Sequence, residues 1–184
     1  LVSAATIMAH TRWASVGGVS LANTHPLGLV DSNANKSNSH VLACLNGDIY
    51  NYKDVIANTK ATHVLSKDET ICTSDCLASS AYFLGKKDIS IGLMSQMASN
   101  LAGSYAIAVQ HSDAPEKLFL VKKGIQGLYL GFSYDGVLFA SDVYGLVETC
   151  RYFIPVDSDV ALELSASNIG TALNPKTSIL NLKT

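Results

Sequence analysis

The stretch from Ser39 to Tyr52 reads SHVLACLNGDIYNY, and the rest of the chain is organised around it. Its first half is a short apolar run with the character of a buried strand. The run stops abruptly at Asn46-Gly47. The residues that follow, 48–57, have a polar face and helical spacing rather than strand alternation. The sequence therefore predicts a strand, a tight turn at Asn46-Gly47 and a short helix.

Two interpretations of Asn46 and Gly47 stay open at this point. Asn-Gly between two structured segments is a common turn sequence, and a plain turn is the simpler interpretation. The alternative is chemical, since a carboxamide N–H beside a glycine N–H forms a donor pair that can hold an oxyanion in acyl transfer. Only glycine would let the main chain approach a substrate that closely and take positive φ without penalty.

Composition bounds the class of protein. The 184 residues fit one domain, nearly half of them apolar, so a sizeable core is expected and disorder is not. The net charge of −2 with scattered Lys and Arg argues against a nucleic-acid or acidic-lipid partner. The sequence carries neither a membrane-length apolar run nor a signal-peptide pattern, so we expect no membrane association and a cytoplasmic location.

The four cysteines are Cys44, Cys72, Cys76 and Cys150. They lie in apolar segments without framework spacing, which favours reduced, packed thiols. Cys72 and Cys76 would share a helix face, but no further His or Cys stands at ligand spacing, so we expect no metal. Nothing in the sequence calls for an organic cofactor.

The N-terminal part of the chain supplies a cation. Residues 1–9 have the pattern of a buried strand that starts without an initiator Met, which suggests that upstream sequence is missing. Arg12 and Trp13 follow the end of that strand. A planar guanidinium suits a carboxylate ligand, although pairing with a structural Asp explains Arg12 equally well. His25 precedes Pro26 and is interpreted as a structural turn residue rather than a base.

Asp75 precedes the apolar run 76–84. It fits the N-cap of a helix, and it is equally well placed to receive a substrate ammonium group. A second amphipathic helix is predicted at 91–101, with its two methionines in the core. From Gly103 the period changes, and strands are predicted at 104–111, 117–122, 128–132 and 137–140 as an antiparallel meander, with a short helix capped by Ser141-Asp142 and further strands at 160–164 and 169–173.

Six short segments of the chain form a set: AHTRWAS at 9–15, NTHP at 23–26, LNGDIYN at 45–51, TSD at 73–75, LAGSYA at 101–106 and FASD at 139–142. Together they resemble the class II glutamine amidotransferase domain, of the N-terminal-nucleophile hydrolase fold. They come in that family's order and span nearly the whole chain. Within the family, the first two segments are similar to the isomerising branch that makes glucosamine phosphate from fructose phosphate, while the third also resembles asparagine synthetase.

The resemblance implies an α+β fold: a four-layer αββα sandwich of two antiparallel sheets, here without its N-terminal nucleophile strand. It implies an amidotransferase domain at 1–173 and a linker at 174–184 that leads to a phosphosugar-binding isomerase or synthase domain. An unpaired edge left by the missing strand would favour association with a second copy of the chain.

The resemblance also implies roles for individual residues. Arg12 would bind the α-carboxylate of L-glutamine with help from the Ser15 hydroxyl, and Asp75 would bind its α-ammonium group. Those charges suit a zwitterionic ligand.

The catalytic part of the implied site lies on the central stretch. Asn46 and the Gly47 N–H would form the oxyanion hole. Trp13 would lie near the route by which ammonia leaves.

One family feature is absent from the printed sequence. The family's nucleophile is a cysteine at the first position of the mature chain, whereas residue 1 here is Leu. As written, the polypeptide is therefore not expected to hydrolyse glutamine. Three explanations stand: a fragment of a larger aminotransferase, a catalytically dead glutamine-binding or scaffold domain, or a second chain that supplies the cysteine.

Overall fold

The computed structural model describes residues 6–11, 20–31, 40–57, 61–63, 76, 79–80, 82–83, 86, 88–134, 136–165 and 178–181. Two antiparallel sheets dominate these residues, one with seven strands in the order β10-β9-β5-β4-β2-β1-β3 and one with three in the order β7-β6-β8. The predicted α+β class is confirmed. The strands are β1 Leu27–Asp31, β2 His40–Ile49, β3 Ala61–His63, β4 Gly103–His111, β5 Ala114–Lys123, β6 Tyr129–Phe132, β7 Val137–Ala140, β8 Tyr152–Pro155, β9 Val160–Ser165 and β10 Ser178–Asn181; the helices are α1 Tyr52–Ala57 and α2 Ile91–Asn100.

The structure corrects the turn predicted at Asn46-Gly47. β2 continues through both residues to Ile49, in unbroken register with β4, so that Gly47 is the partner of Tyr105 and Ile49 is the partner of Gly103. The chain turns only after Ile49, and the predicted short helix follows as α1. A long cross-strand ladder with β4 therefore overrides the local turn preference of Asn-Gly.

β2 carries apolar residues on both faces because the large sheet is covered on both sides. Val41, Ala43, Leu45 and Ile49 belong to a core that also contains the buried face of α2. Cys44, on the alternate face, belongs to a second core shared with the three-stranded sheet. The described residues thus form a helical layer, the large sheet and the small sheet in succession.

The helix α2 is capped by side chains from the sheet rather than by its own N-cap residue, Ser90, whose side chain makes no cap hydrogen bond. At the first turn, the Ile91 N–H donates to Glu163 Oε2 at 3.2 Å. At the last turn, Lys123 Nζ donates to Leu101 O at 3.0 Å and to Ala98 O at 3.3 Å. An acid at the N-terminus and a cation at the C-terminus both match the helix dipole. The predicted burial of the α2 methionines is confirmed.

Other elements follow the sequence patterns in part, because β1, β3, β8 and β10 lie where the sequence predicts no strand. The meander strands appear as β4 to β7, and the Asp142 side chain accepts a hydrogen bond from the Tyr144 N–H at the start of a 3₁₀ turn at Val143–Gly145. Leu146, directly after that turn, lies close to Gly131 of the small sheet, since a Cβ on Gly131 would be 3.1 Å from Leu146 Cδ2. The stretch 174–184, predicted as a linker, contains β10, which pairs with β9 and extends the large sheet.

Residues 6–10 have no regular secondary structure where the sequence predicts the end of a strand, and the predicted strand at 169–173 lies outside the described residues. Among the helices that are described, none is both long enough and apolar enough to cross a bilayer. Across the same residues, His, Cys, Asp and Glu side chains form no group of three or more that could hold a metal ion.

Candidate active site

β2 is longer than its neighbour β1, and this mismatch creates an open edge. β1 pairs with β2 only from His40 to Ala43, and we call that segment the paired end of β2. We call Cys44–Ile49 the open end of β2, because the described residues supply it with a strand partner on the β4 side alone. On the other side of this segment, no strand among the described residues pairs with its backbone.

The direction of each N–H follows from the antiparallel ladder. Tyr50 N–H donates to Ala102 O at 2.8 Å in the β2–β4 register, so the even-numbered residues of β2 bond to β4. The N–H groups of Leu45 and Gly47 therefore point away from β4, toward the side that β1 does not reach, because β1 pairs with β2 only as far as Ala43. Leu45 N–H is satisfied there by His25 Nδ1 at 3.4 Å. Gly47 N–H is the next one along the same open side.

Gly47 must be glycine for two separate reasons. Its φ of +107° lies in a region that side chains rarely adopt. A Cβ at this position would also lie 2.2 Å from the Ser104 carbonyl oxygen and 2.9 Å from Gln126 Cγ. The sequence argument for glycine at this position, close approach and positive φ, is confirmed, although the element is a strand and not a turn.

Asn46 projects from the open end of β2 on the face that also carries Cys44. Its side chain is exposed, and its cross-strand partner is Ala106, which leaves space beside it. A solvent-accessible carboxamide next to an outward N–H is a donor pair of the kind that stabilises a developing oxyanion. This arrangement is compatible with the chemical interpretation, and the oxyanion role of Asn46 and Gly47 stays a prediction.

The backbone behind Gly47 is held firmly. Tyr105, the partner of Gly47, is fully buried, and its hydroxyl donates to Ala98 O at 3.2 Å and lies 3.5 Å from Leu101 O. Burial, followed by the charges of Asp159 and Tyr82, raises the pKa of Tyr105 beyond its usual range, so this hydroxyl stays protonated. Because Ala98 and Leu101 form the C-terminal turn of α2, the helix supports β4 directly opposite the open end of β2.

His25 has a structural role that its position in the sequence only partly indicates. It is buried, follows the 3₁₀ turn Leu21–Asn23 and precedes a cis peptide bond to Pro26. Its ring centroid lies 4.5 Å from that of His10. The sequence favoured a turn residue over a base, and the bond to Leu45 N–H agrees with a structural function. No sequence pattern indicated that His25 would accept the N–H of Leu45, which points away from β4 at the open end of β2.

Four of the predicted site residues, Arg12, Trp13, Ser15 and Asp75, lie outside the described residues. Two of their described chain neighbours lie near β2. His10, two residues before Arg12, packs on His25, whose ring accepts the Leu45 N–H of β2. Cys76, directly after Asp75, is buried, and its Sγ–H donates to Ala43 O at 3.3 Å.

The described cysteines do not suit a nucleophile. Cys44, Cys76 and Cys150 are all buried and free of disulfides. Burial raises the pKa of the Cys44 thiol to about 12, and a thiol must ionise to attack. These three side chains act as packed apolar groups, as the sequence predicted.

Comparison with known proteins agrees with this geometry. Residues 1–182 match the family model of the glutamine amidotransferase domain. The chain is 32% identical over 155 residues to the isomerizing glutamine–fructose-6-phosphate aminotransferase of Acidithiobacillus ferridurans, which covers 83% of this chain and 24% of that protein. The Helicobacter pylori enzyme of the same name is 31% identical over 168 residues, covering 88% and 25%.

Two solved structures share the fold. The glutamine phosphoribosylpyrophosphate amidotransferase of B. subtilis, complexed with ADP and GMP, superposes with a TM-score of 0.66 at 15% identity, over 94% of this chain and 34% of that one. A structure described as the allosteric regulatory enzyme of purine biosynthesis gives 0.67 at 18% identity, over 94% and 34%. At this identity the likeness establishes the fold, which is that of the N-terminal-nucleophile hydrolases.

The chain spans about a quarter of the length of the curated relatives it matches. The match to the family model covers nearly all of its residues, and the two relatives named above, at 32% and 31% identity, carry the same enzyme name. The chain belongs to the family of class II glutamine amidotransferase domains, close to the isomerizing glutamine–fructose-6-phosphate aminotransferases.

Proposed function

We propose that this domain binds L-glutamine at the open end of β2 and serves as the glutaminase part of an amidotransferase. The observation that carries the proposal is the pairing of an exposed Asn46 carboxamide with a Gly47 N–H that the sheet leaves unused. Those two donors suit the side-chain carbonyl of glutamine, and they suit it better when the carbonyl becomes an oxyanion.

The two ends of the amino acid need opposite charges. In the proposal, Arg12 and Ser15 bind the α-carboxylate and Asp75 binds the α-ammonium group. The contacts of two chain neighbours support this assignment, because His10 packs on His25, which bonds to Leu45 of β2, and Cys76 bonds to Ala43 of β2. A bidentate guanidinium–carboxylate pair provides orientation as well as affinity.

The released ammonia is proposed to aminate a phosphosugar such as fructose 6-phosphate, in a domain outside the printed sequence. The names of the relatives support this acceptor. Trp13 is proposed to line the route of the ammonia. Acceptor chemistry belongs to the part of those proteins that this chain does not cover.

Calorimetric titration with L-glutamine tests the binding site. We expect the wild-type chain to bind glutamine, and we expect Arg12→Ala, Asp75→Ala and Asn46→Ala each to weaken binding at least about tenfold, as loss of a charge-assisted hydrogen bond predicts. Arg151→Ala and Asp88→Ala are matched controls, because both residues are exposed and lie away from β2. Unchanged affinity in both the Arg12 and Asp75 variants would refute the site.

Binding and hydrolysis are separate parts of the proposal. Burial of Cys44, Cys76 and Cys150 favours a second candidate for the chain as printed, a glutamine-binding domain without hydrolytic activity. An ammonia-release assay with glutamine distinguishes the two. Glutamate formation by the chain alone would reject the non-catalytic candidate, whereas binding without glutamate formation would support it.

A further inference from the structure

The loop between β5 and β6 lies directly against the open end of β2. Gln126, in this loop, has its Cγ and Cδ atoms 2.9 and 3.0 Å from the position that a Gly47 Cβ would occupy. The carboxamide carbon of Gln126 is therefore in contact with the Gly47 backbone. Gln126 belongs to none of the segments that carry the family resemblance.

Several contacts fix the loop in place on both sides of Gln126. Gly124 N–H donates to Ser158 Oγ at 2.8 Å, and Ile125 N–H donates to Ser104 Oγ at 3.2 Å. On the other side, the Leu128 carbonyl accepts from Val156 N–H at 2.9 Å. Gly127 is so close to Ser141 that a Cβ would lie 2.1 Å from the Ser141 carbonyl oxygen.

Ser104 links this loop to Gly47. Its carbonyl oxygen abuts Gly47, while its hydroxyl accepts the Ile125 N–H. A Cβ on Gly124, where φ is +80°, would collide with the same hydroxyl at 2.4 Å. Ser104 therefore fixes the distance between the loop backbone and the β2 backbone. The position of Gln126 relative to Gly47 follows from these contacts.

The Gln126 carboxamide has unused hydrogen-bonding capacity. Within the described part of the chain it makes no hydrogen bond, although it is half-buried beside Gly47. A partly buried amide on a rigid loop has already lost most of its conformational freedom, so a ligand hydrogen bond there costs little further entropy.

We propose that Gln126 contacts the bound ligand at this site, with its side-chain N–H₂ donating to the side-chain carbonyl oxygen of glutamine beside Asn46 and Gly47. This inference rests on the proposed function, because it names a further contact for the same ligand. The three donors would then come from two different segments, β2 and the β5–β6 loop. Gln126 would favour a carboxamide or carboxylate side chain over an apolar one.

Paired titrations test the contact. Gln126→Met keeps the side-chain length that packs on Gly47 and removes the amide, and Gln126→Glu keeps the shape and removes the N–H₂ donor. We expect both variants to bind L-glutamine about three- to tenfold more weakly, as loss of one hydrogen bond predicts. Gln96→Met, on the exposed face of α2, is the matched control and should bind as wild type does.

L-norvaline separates a direct contact from a structural effect, because it keeps the α-carboxylate and α-ammonium groups of glutamine but has no side-chain carbonyl. Gln126→Met should leave norvaline affinity unchanged while glutamine affinity falls. Equal glutamine affinity in wild type and Gln126→Met would overturn the proposed contact. An equal loss of affinity for glutamine and norvaline would also overturn it, because it would show that Gln126 acts by packing and not by a hydrogen bond to the ligand. Failure of the proposed function has a different signature, namely that the wild type binds no glutamine or that Arg12→Ala and Asp75→Ala have no effect.

Discussion

The paired end and the open end of β2 belong to one strand and share one register with β4, yet they differ in how their backbone is used. At the paired end, His40 to Ala43 bond to β1 on one side and to β4 on the other. At the open end, from Cys44 to Ile49, the side opposite β4 is met by a histidine ring at Leu45 and leaves Gly47 N–H outward. Because a strand bonded on both sides has no backbone donors left, a backbone N–H can bind a ligand only where one neighbouring strand stops short.

Both ends of β2 contribute buried side chains to the core, Val41 and Ala43 at the paired end and Leu45 and Ile49 at the open end. The open end also places two exposed polar side chains, Asn46 and Asp48, at the surface of the sheet. The site thus takes its rigidity from residues that have no direct part in binding.

The largest effect should come from adding one carbon at the open end. Gly47→Ala introduces a Cβ 2.2 Å from the Ser104 carbonyl oxygen at a φ of +107°. We expect it to lower the free energy of unfolding by about 3 kcal/mol and to abolish glutamine binding. Urea denaturation and calorimetry measure the two effects.

Gly92→Ala is the matched control for that substitution. Gly92 lies in α2, and its nearest neighbour to an added Cβ is 3.7 Å away, so the change should raise the free energy of unfolding by up to about 1 kcal/mol. Equal effects at positions 47 and 92 would contradict the special status of the open end.

The second effect concerns the histidine that closes the open side at Leu45. His25→Ala removes a buried ring and the acceptor for Leu45 N–H, which should cost about 2 kcal/mol of unfolding free energy. His25→Asn restores an acceptor at a similar position and should recover part of the loss. If His25→Asn were as unstable as His25→Ala, the hydrogen bond would not be what stabilises this edge.

A smaller effect is expected behind Gly47, where α2 supports β4. Tyr105→Phe removes the hydroxyl that bonds to Ala98 O while keeping the buried ring. The expected cost is about 1 kcal/mol, measured by thermal or urea unfolding. Tyr129→Phe, in the small sheet, is the control and should change stability by less.

The smallest effect is a pH dependence at the paired end. His111, the partner of Val41, is fully buried, and this burial lowers its pKa. The charge of Asp113 and a backbone hydrogen bond at Phe83 raise the pKa, and the charge of His40 lowers it, but burial has the largest effect. Because the folded state resists protonation, the unfolded state binds the proton more readily. Stability should therefore be constant above the ordinary value of 6.5 and fall as the pH drops below it.

Unfolding measured between about pH 7.5 and 5 avoids most carboxylate titration and checks this slope. His111→Gln should flatten the slope, whereas His40→Gln, at an exposed residue, should leave it in place. A slope that survives in the His111 variant would assign the effect to other groups.

Much of the fold could be predicted from local patterns. Alternation in 104–111 and 137–140 predicted β4 and β7, and helical spacing predicted α2 with its buried methionines. These predictions succeeded because the period of apolar residues reports which face of an element is buried. Residue types also predicted a donor pair at Asn46-Gly47, and that role stays a prediction.

The prediction of a turn at Asn46-Gly47 was wrong, because the Asn-Gly pattern reports only a local preference. Whether the strand continues depends on β4, more than fifty residues later in the chain, whose pairing carries β2 on to Ile49. The capping of α2 could not be predicted from local sequence either, because Glu163 and Lys123 are distant in the sequence from the helix ends to which they bond. The pairing of Ser178–Asn181 with β9 likewise has no counterpart in the composition of that segment.

By itself, the sequence indicated the central strand, the meander and α2, the side chains of α2 that belong to the core, and the chemistry that Asn46 and Gly47 could perform. Only the tertiary structure decided that β1 begins at the partner of Ala43, that the His25 ring bonds to the Leu45 N–H, and that Gln126 lies against Gly47. The physical reason is that the period of apolar side chains depends on residues close together in the sequence. Which backbone N–H groups stay unbonded depends instead on how distant strands pair in the folded chain.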